Sequence, residues 1–297
     1  MKFIVTGGVG FIGNNIVRQL LKQNHTPIVI DNLYRGKIEN ISSLDVEFHK
    51  IDIRDFNQLR DIVKNSDGIF HEAALTDVQE SFTRQQEYID VNVKGTENIF
   101  RIAKEFDLKV VYASSSSVYG NPKKIPLVEN SERHPINPYG KTKLDDEVIA
   151  EKYSKDKVSI IGIRYFNVYG KGQTDSYAGV ITKFINRLKQ DKSPLIFGAG
   201  TQLRDFIFVQ DVALANIAAM QSNVKNGFFN IGTGITTSIE QLAKIMIELS
   251  GLKLELQYEK ALEGDVQYSQ ADISLTESML KWKYSVGLRE GLSKFYT

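Results

Sequence analysis

The first 31 residues carry a pattern that few folds accommodate. Lys2–Thr6 (KFIVT) is a short apolar, β-branched run suited to a buried parallel strand. It leads directly into Gly7-Gly8-Val9-Gly10-Phe11-Ile12-Gly13. Asn14 to Gln23 then sets Ile16, Val17, Leu20 and Leu21 at helical spacing, and a second apolar run, Pro27–Ile30, ends on Asp31. Strand, glycine turn, helix, strand and acid follow one another in register, which gives the glycines a meaning they lack alone. Glycines permit a tight turn, close approach of backbone to a pyrophosphate, and close helix–strand packing. The helix N-terminus offers free N–H groups and partial positive charge to phosphates. An acid at the end of the second strand accepts hydrogen bonds from ribose hydroxyls and repels a 2′-phosphate, so Asp31 points to NAD rather than NADP.

Composition narrows the class further. The 297 residues suffice for one large or two modest domains. A net charge of +1 gives no electrostatic case for nucleic acid or an anionic membrane as partner. There is no cysteine, which excludes disulfides, thiolate nucleophiles and cysteine metal sites. The four histidines show no zinc-pair spacing, so no metal site is expected. The chain opens on a strand without a basic, apolar leader and has no run long enough to span a membrane, so a cytoplasmic protein is expected.

Beyond Asp31 the chain alternates strands and helices. Strands are predicted at Val46–Ile51, Gly68–His71, Lys109–Ser114 and Val158–Tyr165. Helices are predicted at Phe56–Val63 with Asp55 as cap, from Ser81 as cap through Phe106, and at Tyr139–Lys155 after Asn137-Pro138. This rhythm predicts an α/β fold with a doubly wound parallel sheet. In such sheets ligands bind at the carboxyl ends of strands, where Thr6, Asp31, Asp52, Ala73, Ser114, Ser115 and Asn167 fall. After Asn167 the rhythm changes. A polar stretch at Lys171–Ala178 is followed by a helix at Val180–Gln190, a Gly198–Gly200 turn, and a strand at Asp205–Val209. A helix at Asp211–Ser222, a strand at Phe228–Ile231, a Ser238-capped helix at Ile239–Ser250 and a strand at Leu254–Tyr258 complete the reading. The expected division is an NAD-binding domain over 1–166, with a chain return around 205–235, and a smaller lobe mainly over 167–297.

Two stretches carry the chemistry: Tyr112-Ala-Ser-Ser-Ser-Ser-Val-Tyr-Gly120 and Asn137-Pro-Tyr-Gly-Lys-Thr-Lys143. Tyr139 and Lys143 lie four apart at a helix start and share one face. A nearby ammonium favours the phenolate, and a tyrosine so placed can take a proton from a sugar hydroxyl while hydride leaves the same carbon. Ser115, at the end of the fourth internal strand, is placed to hydrogen-bond that oxygen.

Together with Asp31-Asn32-Leu33, Asp52-Ile53, His71-Glu-Ala-Ala74 and Asn92-Val-Lys-Gly-Thr96, these motifs resemble the extended short-chain dehydrogenase/reductases, the NAD-dependent epimerases and dehydratases. Arg164-Tyr-Phe-Asn167 and Arg204-Asp-Phe-Ile207 with Asp211-Val212 resemble its nucleotide-sugar branch, and the nearest pattern is that of UDP-glucose 4-epimerases. The resemblance implies an isomerase with NAD as cofactor, a UDP-sugar as substrate, and a homodimer built on Ser81–Phe106 and Tyr139–Lys155. It implies catalysis by Tyr139, Lys143 and Ser115. It implies an NAD site of Gly7, Gly10, Phe11, Ile12, Asp31, Asn32, Asp52, Ile53, Ala73, Ala74, Asn92, Lys143 and Tyr165. It assigns Ser115, Tyr139, Asn167, Val180, Phe197, Arg204, Asp265 and Ser269 to the UDP-sugar, with Phe197 along the uracil and Arg204 on a phosphate.

Departures from the family pattern sharpen the expectation. The family's dehydratases and decarboxylases carry an acid where Ser116 and Ser117 stand, which disfavours both reactions here. An arginine usual before Glu263-Gly264-Asp265 is Leu262, with Lys260 nearby. Ser269 stands where narrow-specificity epimerases carry tyrosine, which implies room for an N-acetyl group and use of UDP-GlcNAc and UDP-GalNAc beside UDP-glucose and UDP-galactose. A nucleotide-sugar reductase, an epimerase of a dTDP- or GDP-sugar, and a catalytically silent NAD-dependent sensor remain open alternatives.

Overall fold

A computed structural model describes residues 1–173, 179–261 and 266–296. The chain begins β1 (Lys2–Thr6), α1 (Phe11–Lys22), β2 (Thr26–Asp31), β3 (Glu47–Lys50), α2 (Phe56–Val63) and β4 (Gly68–His71). It continues α3 (Val78–Thr83), α4 (Gln85–Tyr88), a π-helical turn (Ile89–Lys94), α5 (Gly95–Phe106), β5 (Lys109–Ser115), α6 (Pro138–Lys155), β6 (Ile160–Tyr165) and β7 (Asn167–Tyr169). Then come α7 (Val180–Leu188), β8 (Leu195–Phe197), β9 (Leu203–Phe208), α8 (Val209–Gln221), β10 (Asn226–Ile231), β11 (Thr236–Ser238), α9 (Ile239–Ser250) and β12 (Gln257–Glu259). Two short helices, α10 (Ser274–Leu280) and α11 (Leu288–Ser293), close the chain.

Seven strands form one parallel sheet in the order β3-β2-β1-β4-β5-β6-β10. Strand order reverses between β1 and β4, the place where open α/β sheets bind ligands. Both faces are buried, as contiguous apolar strands require. Along β1, Phe3 and Val5 join one core with α1 and α8, while Ile4 joins the other, with residues of α2, α5 and α6. A third apolar cluster gathers α7, α9, β8 and β9, beside the small sheets β11-β9-β7 and β12-β8. Strand β10 pairs with β6, so the chain re-enters the large sheet after β9.

The long helical region expected from Ser81 to Phe106 is four segments: α3, α4, the π-helical turn and α5. Asp77, not Ser81, caps α3 by accepting from Glu80 N at 2.9 Å. Ser81 turns its hydroxyl back to Val78 O instead, at 2.6 Å. Arg84 leaves helical geometry (φ −123°, ψ 38°), and a π turn follows. The strand expected at Leu254–Tyr258 begins only at Gln257, where β8 supplies its partner. Asp55 and Ser238 cap α2 and α9 as expected, Ser238 through a full capping box with Gln241, and Asn137 caps α6 by accepting from Gly140 N.

Candidate active site

The carboxyl ends of the central strands open into a cavity of about 390 Å³. Its floor at one end is the glycine turn. Gly7 has φ +67°, and a Cβ there would lie 2.7 Å from Ala73 N. A Cβ on Gly13 would fall 2.2 Å from Gly7 O, so only glycine lets α1 sit this close to β1. Gly10 is the N-cap of α1 and supplies no side-chain cap, leaving the first-turn N–H groups to an outside acceptor. These features fit a dinucleotide pyrophosphate. Asp31, at the end of β2, lines the same cavity and already accepts from Leu33 N at 2.8 Å and Val9 N at 3.4 Å. Burial raises its carboxyl against the pull of those two bonds.

The other end gathers a serine, a tyrosine and a lysine. Ser115, Tyr139 and Lys143 line this one cavity, all at least nine-tenths buried. Tyr139 is fixed by packing against Leu75 and Tyr88, and its N–H donates to Ser81 Oγ at 3.2 Å. The residue expected to cap a helix therefore anchors the start of another. Ser115 Oγ accepts from Ser117 N at 3.1 Å, which leaves its own proton for the cavity. Beneath, His71 bridges Thr6 and Thr96 (2.7 and 2.9 Å) and is held neutral, pushed down to about 3 by burial and then by Lys143.

Gly7, Gly10, Phe11, Ile12, Asn32, Ile53, Ala73, Ala74 and Tyr165 also line the cavity. Two expected cofactor residues do not. Asn92 is fully buried behind the wall, where its amide bonds both Leu75 N and Leu75 O (2.8 and 2.9 Å) and Thr142. It shapes the loop after β4. Asp52 binds Arg54 twice at 2.8 Å and accepts from Asn32 at 2.9 Å. Those partners, Arg54 first, hold its carboxyl down to about 2 and leave Arg54 and Asn32, rather than Asp52, facing the cavity.

Glu72 stands in the His71-Glu-Ala-Ala74 motif, and its sequence context assigns it no role of its own. Its carboxyl accepts from Tyr165 Oη at 2.9 Å, and Asn216 donates to the same phenol at 2.8 Å. Burial pushes Glu72 up to about 8, so it is largely protonated at neutral pH. An acid directly after the buried strand Gly68–His71 is the available signal. Glu147, four residues after Lys143, was also missed. It takes Arg164 through two 2.8 Å bonds, Ser114 at 2.7 Å and Arg133 at 2.9 Å, tying α6 to β5 and β6.

A second recess of about 210 Å³ lies across the 115–117 turn, with Ser116 and Ser117 in its wall. It brings together Asn167, Arg204 and Ser269 with Gln79 and Asn137. Ser269 is 7% exposed, so it faces the recess and not bulk solvent. Asp205, next to Arg204, is committed elsewhere: it accepts from Thr233 N, Thr233 Oγ1, Gly234 N and Ala271 N. Val180 and Phe197 stand outside the walls of both cavities, at the start of α7 and the end of β8, where the third apolar cluster and the β8–β12 pairing draw them. Asp265, with Leu262, Glu263 and Gly264, lies outside the described residues.

This fold and site define a class, and comparison with known proteins agrees. The chain belongs to the NAD dependent epimerase/dehydratase family, whose pattern it matches over residues 3–232. A Methanocaldococcus jannaschii protein provisionally named UDP-glucose 4-epimerase is 40% identical over 98% of this chain and 96% of its own. The crystal structure of the Thermotoga maritima UDP-glucose 4-epimerase with UDP-glucose superposes with a TM-score of 0.95 at 33% identity, covering 99% of this chain and 96% of that one. A Methanobrevibacter ruminantium UDP-N-acetylglucosamine 4-epimerase, in complex with UDP-N-acetylmuramic acid, gives 0.94 at 33% identity over 99% and 96%. Activities differ among relatives: a Bacillus cytotoxicus UDP-N-acetyl-α-D-glucosaminuronate decarboxylase is 31% identical over 98% and 95%. No helix among the described residues is long and apolar enough to cross a membrane.

Proposed function

We propose that the protein is a UDP-hexose 4-epimerase that holds NAD through its catalytic cycle. One observation carries this reading. Ser115, Tyr139 and Lys143 share a cavity with the glycine turn and Asp31, while among the described residues the adjoining Ser116–Ser117 wall holds no carboxyl for dehydration or decarboxylation. Gly7, Gly10 and the N-terminus of α1 would hold the pyrophosphate, and Asp31 the adenosine ribose. NAD, when bound, supplies reversible acceptance of a hydride from the sugar C4. Tyr139 takes the proton of the 4-hydroxyl, Lys143 complements the charge this creates, and Ser115 donates to the same oxygen. Arg204 offers a multi-donor fork to the diphosphate and Asn167 an amide, so the UDP end stays anchored while the 4-keto sugar turns over. Ser269 leaves space beside the sugar, which supports use of N-acetylated hexoses as well.

The helical regions of the expected homodimer carry exposed apolar side chains: Phe82, Ile89 and Val148, the last 52% exposed. A second copy of the chain is the partner we assign to that face.

Incubation with UDP-galactose and no added cofactor tests the reading. UDP-glucose formed without lasting absorbance near 340 nm supports an epimerase. Accumulating reduced cofactor would make the protein a dehydrogenase, and no turnover would make it a sensor.

A further inference from the structure

We propose that Asp146 is a positioning residue that holds the Lys143 ammonium and so sets how much of its charge reaches the Tyr139 hydroxyl. The inference rests on the epimerase reading and adds a residue to it. Tyr139, Lys143 and Asp146 follow at intervals of four and three along α6, on one helix face. Lys143 Nζ lies 3.3 Å from Asp146 Oδ2, with the two side chains 4% and 0% exposed. The Lys143 ammonium donates to Asp146 Oδ2 across that distance.

Asp146 contrasts with its neighbour. Glu147 gathers three partners around a buried carboxylate. Asp146 is equally buried, yet its Oδ1 has no hydrogen-bond partner. A buried carboxyl held by one long ion pair is costly, and a fold that needed it only for stability would satisfy both oxygens. What the pair does accomplish is to set beside Lys143 a counter-charge that does not itself line the cavity.

The surroundings set when that counter-charge exists. On α6, Asp145 and Glu147 disfavour the anion and Lys143 favours it. From β5, Tyr112 turns a buried hydroxyl to the same region, also without a partner. From β4 and the residue after it, His71 and Glu72 both feel Lys143, His71 held neutral and Glu72 largely protonated near neutral pH. From β6, Arg164 is committed to Glu147. On α5, Glu97, Arg101 and Lys104 surround Tyr153, further along α6. Burial pushes Asp146 up to about 7. Above that pH an anion offsets part of the Lys143 charge. Below it Asp146 takes a proton and Lys143 acts on Tyr139 alone.

The test compares pH–rate profiles of kcat/KM for UDP-galactose in the parent and in Asp146→Asn. The two profiles should meet below about pH 7 and separate above it, where the Asp146 anion delays the parent, so the parent's acid-side midpoint should lie higher than the variant's. An unmoved midpoint with only a changed melting temperature would make Asp146 structural and overturn the proposal. A second readout needs neither turnover nor that variant. Carbon-13 NMR of the Asp146 carboxyl should show it titrating near neutral pH in the parent and at higher pH in Lys143→Met. Titration in the ordinary aspartate range, or no response to the loss of Lys143, contradicts the pairing. Failure of the epimerase reading shows separately, as accumulating reduced cofactor or no turnover of UDP-galactose in the parent, and leaves the carboxyl titration untouched.

Discussion

The two recesses of this protein are built in opposite ways. The larger draws its phosphate end from one continuous segment, Lys2 to Asp31, whose strand, glycine turn and helix are dictated locally. The smaller is assembled from residues 78–79, 116–117, 120, 127, 137, 167, 204, 266 and 268–269, which come from several short motifs far apart in the chain rather than from one continuous segment. On the proposed reading the first holds the cofactor and the second the nucleotide sugar.

Substitutions should separate the two recesses. The largest effect is expected in the shared machinery: Tyr139→Phe should lower epimerisation by about 10²–10⁴-fold while NAD still binds, measured by coupled assay and by cofactor content. Next in size is the support beneath that machinery. Glu147→Ala strands buried Arg164 and should cost about 3–5 kcal/mol of stability in chemical denaturation, since one partner of a buried pair is left uncompensated. In the smaller recess, Ser269→Tyr should cut kcat/KM for UDP-N-acetylglucosamine by about tenfold or more and leave UDP-glucose within a few-fold. Equal effects on both sugars would remove the specificity role of this recess.

The smallest effect is a pH dependence of stability. Glu72 is raised to about 8 in the fold, so the folded state holds a proton that the unfolded chain releases near 4.5. Its stabilising contribution is full below about 4.5 and is lost as pH rises through about 8. Glu72→Gln removes this slope. Its melting temperature should gain on the parent between pH 5 and pH 8, by scanning calorimetry at matched ionic strength.

What could be read from the sequence follows the same divide. Buried parallel strands such as Ile69–Phe70 and Val110–Val111 are continuous apolar runs, and their ends announce where ligands gather. Tyr139, Lys143 and Ser115 were legible because two short motifs carry them. The break at Arg84 was not, because helical spacing persists across it and only the Asp77 cap and the contact of Ser81 with Tyr139 decide the geometry. Asn92 and Asp52 were placed at the cofactor by resemblance, yet their hydrogen bonds go to Leu75 and Arg54. The roles of Glu72 and Asp146 depend on burial and on neighbours far along the chain, which spacing does not express.

The central claim is that oxidation at C4 and its reversal occur within one binding event. UDP-galactose carrying deuterium at C4 tests this most directly, with the product examined by mass spectrometry and NMR. The account predicts UDP-glucose that retains the deuterium at C4, with none passed to solvent. Product in which the label has been replaced by hydrogen from water would contradict it.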